Sequence, residues 1–433
     1  MNARNQRWLV IAHCFNMDGR AASQTVTDKI PYFLKHGIEP VVITAATGSR
    51  DTEVEHHQVT SLAPSGFRFE LRHIINNKVK SKWLAVLLRG ISSIGLFPLY
   101  IVERIFVRLD SQWSWSFAAK RKGAQLLRER SFDLIYASGG ASSAFVAAYQ
   151  LSRRFGVPWI AEIHDPMVHD SWARSRMAYR RNRHIENLIC THARAVYWFT
   201  NDALSQAHER HPQLGNRGHV IRPGIIPPDF QGARYRRGDK LRFSYFGGLT
   251  PERNLAPLGR VLARLFAAKF DLAAKVEVHV YGGGLDDLSR EAFADLPEGV
   301  LEVHGRLEED PVTGKSGRQR VLEAMRESDV LVLMHGQGDI CKLYLPSKIY
   351  EYLWAQRPVL LFSPVPTHWD DIMDSGTHYV VDQSDPAAVD KVLRRLLNDW
   401  ETGQLADRPI SQAHSVEQAV IKIMEIARNI SDD

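Results

Sequence analysis

The chain has 433 residues, 44% of them hydrophobic and 24% charged, with a formal net charge of +6. That length exceeds what one hydrophobic core usually organises, so two domains are expected, and the balanced composition excludes a disordered or fibrous protein. The mild positive charge favours anionic partners, phosphates or acidic lipids, without singling one out; no nucleic-acid partner is expected.

Three cysteines, Cys14, Cys190 and Cys341, are scattered without metal-ligand spacing. A sparse, odd set argues for a reducing compartment and against a disulfide framework. The apolar stretch Trp8–Phe15 is interrupted by His13 and has no cleavage site behind it, so it reads as a first strand and not as a secretory signal. The expected location is the cytoplasm, with peripheral attachment to the inner face of the plasma membrane as an option.

In chain order, strand 8–15 leads through Asn16-Met17-Asp18-Gly19-Arg20 into a helix over about Ala22–His36, whose second half Pro31 weakens. Strand Pro40–Ala45 follows. This is the β–loop–α–β opening of a doubly wound sheet. The loop lacks G-x-G-x-x-G, which disfavours a dinucleotide cofactor, and Gly19 is either a turn residue or a phosphate neighbour.

Residues 66–122 differ in character. Lys78, Lys80, Lys82 and Arg89 lead into the uncharged run Gly90–Val102, with Trp83, Phe97, Tyr100, Trp113 and Trp115 interleaved. That run is short for the ~20 residues of a membrane span, and Pro98 interrupts it. The segment is either an interfacial membrane element or a helical hairpin packed on its own domain.

Strands Phe132–Ala137 and Val157–Ile163 resume the sheet pattern, and the second delivers His164 and Asp165 to a carboxyl strand end, where open α/β sheets bind ligands. His164 is an acid, base or donor there unless it is structural. A proline-, glycine- and arginine-rich stretch from Val220 to Asp239 marks the domain boundary. The expected units are 1–225 and 226–410, with a last helix in 411–433 that can pack back on the first. The second unit repeats the alternation, from strand Leu241–Phe246 to strand Tyr379–Val381.

Two strand ends carry glycine, Gly247-Gly248 and Gly282-Gly283-Gly284, where backbone can approach a ligand closely. Arg253 follows within reach of a phosphate. Further on, Leu345-Pro346-Ser347-Lys348-Ile349-Tyr350-Glu351 reads as a helix start, with Pro346 in the first turn. Such an N-terminus can seat a phosphate, with Glu351 one turn deeper for a ribose diol. The other reading is an amphipathic helix with a surface Lys348–Glu351 pair.

With Phe243-Ser244-Tyr245-Phe246-Gly247-Gly248, Val278–Gly284, Val303-His304-Gly305-Arg306-Leu307 and Ile163-His164-Asp165, the chain resembles the GT-B nucleotide-sugar glycosyltransferases. The similarity is to the retaining bacterial group that builds cell-surface polysaccharides and glycolipids. The resemblance implies an α/β architecture of two doubly wound Rossmann-like parallel-sheet domains facing each other across a cleft. It implies that Glu351 holds the ribose hydroxyls, that amides around Ser347 and Lys348 with Arg253 hold the diphosphate, and that backbone at Gly305 and Arg306 meets the base. Gly19 would border the phosphates and His164 the donor sugar, with Asp165 beside it.

No cofactor is implied beyond the nucleotide-sugar co-substrate, a UDP-sugar first and a GDP-sugar second, and no obligatory metal. The acceptor would be lipid-linked or a polysaccharide, with an anionic membrane surface as a further partner. Two departures stand out. Many relatives carry a glutamate eight positions before the ribose-binding one, where this chain has Leu343. Many carry arginine where it has Gly248. The first departure keeps open a catalytically silent scaffold; a sugar-nucleotide epimerase is the third alternative.

Overall fold

The computed structural model describes residues 6–431 apart from 18–20, 49–53, 108, 170–174, 231–233, 337, 365–368, 370–371, 374–377, 406 and 410–414. The chain divides into two compact units, Met1–Ile226 with Ala413–Asp433, and Pro227–Gln412.

The first unit carries strands β1 (Gln6–Ala12), β2 (Cys14–Phe15), β3 (Ile38–Thr44), β4 (Ala46–Thr47), β5 (Glu55–Gln58), β6 (Leu134–Ser138), β7 (Trp159–Ile163), β8 (Ala195–Trp198) and β9 (Gly218–Val220). Seven of them form one sheet in the order β5-β3-β1-β6-β7-β8-β9, and every pairing is parallel. The continuous apolar runs, such as the wholly buried Trp8–Ala12, are what a parallel sheet covered on both faces requires. The strand order reverses between β1 and β6, which makes their carboxyl ends the unit's natural crevice.

Its helices are α1 (Ala21–Thr27), α2 (Ile30–Lys35), α3 (Pro64–Lys78), α4 (Lys82–Phe106), α5 (Trp115–Glu129), α6 (Ser142–Phe155), α7 (Arg176–His192) and α8 (Asn201–Arg210). The single helix expected over Ala22–His36 is in fact two. Pro31 lies in the first turn of α2, where its missing N–H is no loss, and the chain breaks before it.

Residues 64–106 depart most from expectation. Helix α4 runs for 25 residues through Pro98 and extends past the uncharged run at both ends, taking in Arg89 on one side and Glu103 and Arg104 on the other. Trp83–Phe106 is therefore long and apolar enough to cross a membrane, where the sequence reads as too short. Its base is tied to the unit by polar groups. Glu103 accepts from Ser65 N (2.7 Å), Ser65 Oγ (2.6 Å) and Trp113 Nε1 (2.8 Å). Trp115 is wholly buried and donates to Val59 O (2.9 Å), so the tryptophans at 113 and 115 serve the protein interior.

The foot of α3 is held by Glu70, which accepts from Ser61 N (2.6 Å) and lies 3.3 Å from His13 Nε2, both side chains buried. Burial alone would lower the His13 pKa, but contacts with Cys14 and Glu70 outweigh it and raise it to about 9. A group raised above its ordinary value of about 6.5 stabilises the fold fully below that pH, and the contribution is lost as pH rises through about 9. The midpoint of thermal unfolding of the first unit should therefore fall by at least a few degrees between pH 6.5 and 9. His13→Gln should flatten that slope, and an unchanged slope overturns the assignment.

The second unit carries β10 (Leu241–Gly247), β11 (Val276–Gly282), β12 (Leu301–Gly305), β13 (Val330–Met334), β14 (Val359–Phe362) and β15 (Tyr379–Val381). They form a parallel sheet in the order β12-β11-β10-β13-β14-β15, with the reversal between β10 and β13. Helices α9 (Ala256–Ala268), α10 (Asp287–Phe293), α11 (Gly317–Glu327), α12 (Lys348–Trp354) and α13 (Pro386–Glu401) belong to it. The last helix, α14 (Val416–Ser431), joins the first unit: Ile225 bridges Ser415, and Lys35 Nζ donates to Glu417 Oε1 at 2.5 Å.

Candidate active site

In the second unit the glycine loops meet at adjacent strand ends. Gly247 and Gly282 pair across β10 and β11, with φ of +151° and +117°, and Gly283 N donates to Gly247 O at 3.1 Å. A Cβ on Gly282 would lie 2.7 Å from Gly247 O, so this junction requires glycine. At Gly248 and Gly284 a Cβ would meet nothing within 4 Å; the backbone there borders open space. The strand ends are thus bare enough for a ligand to approach.

Beside them runs an aromatic stack. Tyr281 lies flat on Phe246 (4.6 Å between centroids) and on His304 (4.3 Å), next to Gly305 with φ +67°. Arg306, just beyond, is exposed and lies 3.7 Å from Glu308. The fold also gathers His279, Glu302 and His304, a grouping that sequence spacing does not reveal. His279 Nδ1 and His304 Nε2 are 2.8 Å apart with the rings inclined by only 25°. That is the geometry of two rings meeting edge to edge over one N–H···N bond.

Helix α12 begins at Lys348 with Ser347 as N-cap, so Pro346 stands just outside it and not in its first turn. With seven residues, α12 offers little macrodipole, and charge at this end comes mainly from side chains. Glu351 is buried and ion-paired to both Lys348 and Arg318. Burial alone would raise its pKa, yet Lys348 and then Arg318 outweigh it and hold the carboxyl below its usual range. Arg318 was not legible as a partner, being 33 residues away on α11. A capping box orients that helix start: Ser316 Oγ accepts from Gln319 N (3.2 Å), and the Gln319 side chain accepts from Ser316 N (2.9 Å).

Tyr352 pins α12 to the sheet. Its hydroxyl accepts from Phe246 N (3.0 Å) and donates to Val332 O (3.2 Å), tying Glu351's helix to β10 and β13 at the strand-order reversal. Arg253 closes a tight turn with Thr250, through backbone bonds of 2.9 and 3.0 Å. Its charge counters the burial that raises the pKa of Tyr245 and of Cys341, in the short turn leading to α12. Leu343, at the position where the resemblance implies a glutamate in many relatives, is buried.

In the first unit, β7 ends at Ile163 and places His164 beside the end of β6. His164 is buried, stacks on Phe199 (5.3 Å, 19°), and its Nε2 lies 2.8 Å from Ser138 Oγ. Asp165 faces solvent. Gly139 permits the close approach of the strand ends, since a Cβ there would lie 2.8 Å from Glu162 O. Beneath His164 lies a charged network that the sequence did not disclose: Lys29, Glu162, Tyr136, Tyr197 and Ser138, all buried. Gly19, the remaining expected site residue, lies outside the described residues. The structure thus gathers the glycine loops with Glu351, Lys348 and the Arg253 turn in one unit, and sets His164 and Asp165 in the other.

Residues 35–224 match the model of the glycosyl transferase 4-like domain. Among curated proteins none matches the sequence. The solved structure of HepE from Anabaena, in complex with UDP-glucose, is similar over 99% of this chain and 100% of its own, with a TM-score of 0.56 and 14% identity. A UDP-forming trehalose-phosphate synthase from Burkholderia xenovorans is similar over 98% and 99%, at 0.60 and 13%. Sucrose-phosphate synthase from Thermosynechococcus elongatus is similar over 99% and 98%, at 0.54 and 12%. These likenesses establish the fold, and the matched domain the enzyme class: the chain is a glycosyltransferase of GT-B fold whose first unit carries a glycosyl transferase 4-like domain.

Proposed function

We propose that this enzyme transfers a sugar, with retention, from a nucleotide-diphosphate sugar to a lipid-linked acceptor at the cytoplasmic face of a membrane. UDP-sugars are the first donors to test, since HepE was solved with UDP-glucose and the trehalose-phosphate synthase is UDP-forming. In this reading Glu351 takes the ribose hydroxyls. Lys348, Arg253 and the backbone around Ser347 receive the diphosphate, and Gly305 and Arg306 flank the base. Negative charge grows on the departing diphosphate, and fixed cations stabilise it where it develops. His164, with Asp165 beside it, serves the chemical step.

The observation that carries the membrane part is the direction in which α4 faces. From Trp83 onward, every exposed position of α4 is apolar, glycine or proline, including Trp83, Ile91, Ile94, Phe97, Val102 and Phe106. Its polar residues from there on, Arg89, Ser92, Ser93, Tyr100, Glu103 and Arg104, are half-buried or, at Glu103, buried. This inverts the pattern of a helix facing water. Exposed Lys78 and Lys80 stand just before it, placed for anionic headgroups. Each large side chain moved from water into hydrocarbon contributes ~1.5–3 kcal/mol, so a few embedded residues outweigh the lysines, at about 1 kcal/mol each.

The test is sedimentation with phosphatidylcholine vesicles, with and without anionic lipid. Wild-type protein should pellet with both and resist release by salt, whereas I91E/I94E/V102E should stay in solution with unchanged nucleoside diphosphate binding. Wild-type protein that ignores both vesicle types overturns the membrane reading and returns the acceptor to soluble candidates.

A further inference from the structure

The buried network under His164 has one hydrogen-bonding sense, and that sense reaches the imidazole. Lys29 Nζ donates to Glu162 Oε1 at 2.8 Å and to Thr25 O at 2.6 Å. Burial alone would raise the Glu162 pKa, but Lys29 and then His164 outweigh it and hold the carboxyl far below the usual carboxylate range. Glu162 is therefore an acceptor only. Its Oε2 receives Tyr136 Oη and Ser138 Oγ, both at 2.7 Å. The single hydroxyl proton of Ser138 is then committed to Glu162. What Ser138 offers to His164 Nε2, 2.8 Å away, is a lone pair. That contact needs a proton on Nε2.

We infer that Glu162 and Ser138 are positioning residues for His164, holding its neutral ring in the Nε2–H form so that Nδ1 is its basic nitrogen. This rests on the reading that His164 serves the chemical step. The ring's plane is set independently by Phe199, so the network supplies the tautomer and the stack supplies the orientation. Neither Ser138 nor Glu162 touches substrate in this account; both act through His164.

The network also predicts how to reverse the tautomer. Lys29 needs an acceptor oxygen at the Oε1 position, so Glu162→Gln should place its carboxamide oxygen there and its NH2 toward Ser138. Ser138 must then accept from the carboxamide and donate to Nε2, leaving the proton on Nδ1. Ser138→Ala removes the hydroxyl that relays Glu162 to the ring and leaves the Lys29–Glu162 pair intact; Glu162 Oε2 itself, 3.5 Å from Nε2, is a weaker direct partner. It guards against misfolding of Glu162→Gln, since disturbing a buried ion pair is costly.

The experiment is long-range 1H–15N NMR on the full chain labelled at histidine, with His164 assigned by its loss in His164→Gln. Wild type should show an Nε2–H ring and Glu162→Gln an Nδ1–H ring, while Ser138→Ala should move toward an averaged pair because Glu162 Oε2, 3.5 Å from Nε2, holds that proton only weakly; Ser138→Thr should keep the wild-type pattern. Turnover in Ser138→Ala should fall about tenfold with the donor KM little changed, less than the ~10²–10⁴ that an acid–base group itself contributes, since the ring remains in place. An Nδ1–H ring in wild type, or a spectrum indifferent to both Ser138→Ala and Glu162→Gln, overturns the inference. A spectrum that responds while turnover does not supports the tautomer assignment and overturns the reading of His164 as acting in the reaction.

Discussion

Glu351→Ala is expected to weaken binding of UDP by about a hundredfold or more while leaving the fold intact. A hydrogen bond to a charged group contributes ~1.5–3 kcal/mol, and two lost from one ribose give ~3–6 kcal/mol, where 1.4 kcal/mol is tenfold. The carboxyl stays ionised at neutral pH because Lys348 and Arg318 more than offset its burial. It must stay ionised to accept from both hydroxyls. Those cations remain part-exposed, with 34% and 48% of their side chains open to solvent, so water can take over when the carboxylate is removed. The helix should persist because Tyr352 fixes it to β10 and β13. Calorimetry with UDP is the measurement, and Glu351→Gln should fall between wild type and alanine. An affinity for UDP that survives Glu351→Ala removes Glu351 from the ribose site.

The parts of this molecule legible in its sequence are those written in short segments. The strand-end glycines at 247 and 282 and the alternation that builds two parallel sheets each depend on neighbours within a few residues. What escaped is long-range. Arg318 meets Glu351 from another helix, and Lys29 meets Glu162 across 133 residues. The case of α4 is different in kind. Periodicity separates a helix into two faces but does not say which one turns inward, and the usual assumption is that the apolar one does. Here Glu103 hydrogen-bonds Ser65 and Trp113 on the sheltered side, so the apolar face is left outside. The same long range hides the pairing of His279 with His304, which only the adjacency of β11 and β12 brings about.

His164→Ala is expected to lower turnover by more than tenfold with little change in UDP affinity. A group that interacts chiefly with the transition state affects kcat far more than ground-state binding. The residues assigned to the nucleotide, Glu351, Lys348 and Arg253, belong to the other unit, so their contacts should survive the substitution. Two further variants separate the ring's nitrogens. Asparagine carries a polar atom near the Nδ1 position, and glutamine carries one near Nε2. If Ser138 occupies Nε2 and the reaction uses Nδ1, His164→Asn should retain more turnover than His164→Gln. Glutamine would keep the contact to Ser138 and lose the working atom. The reverse order would place the working nitrogen at Nε2, which contradicts the hydrogen bond of that atom to Ser138. Equal losses of turnover and UDP affinity in His164→Ala would instead make His164 a structural residue at the end of β7.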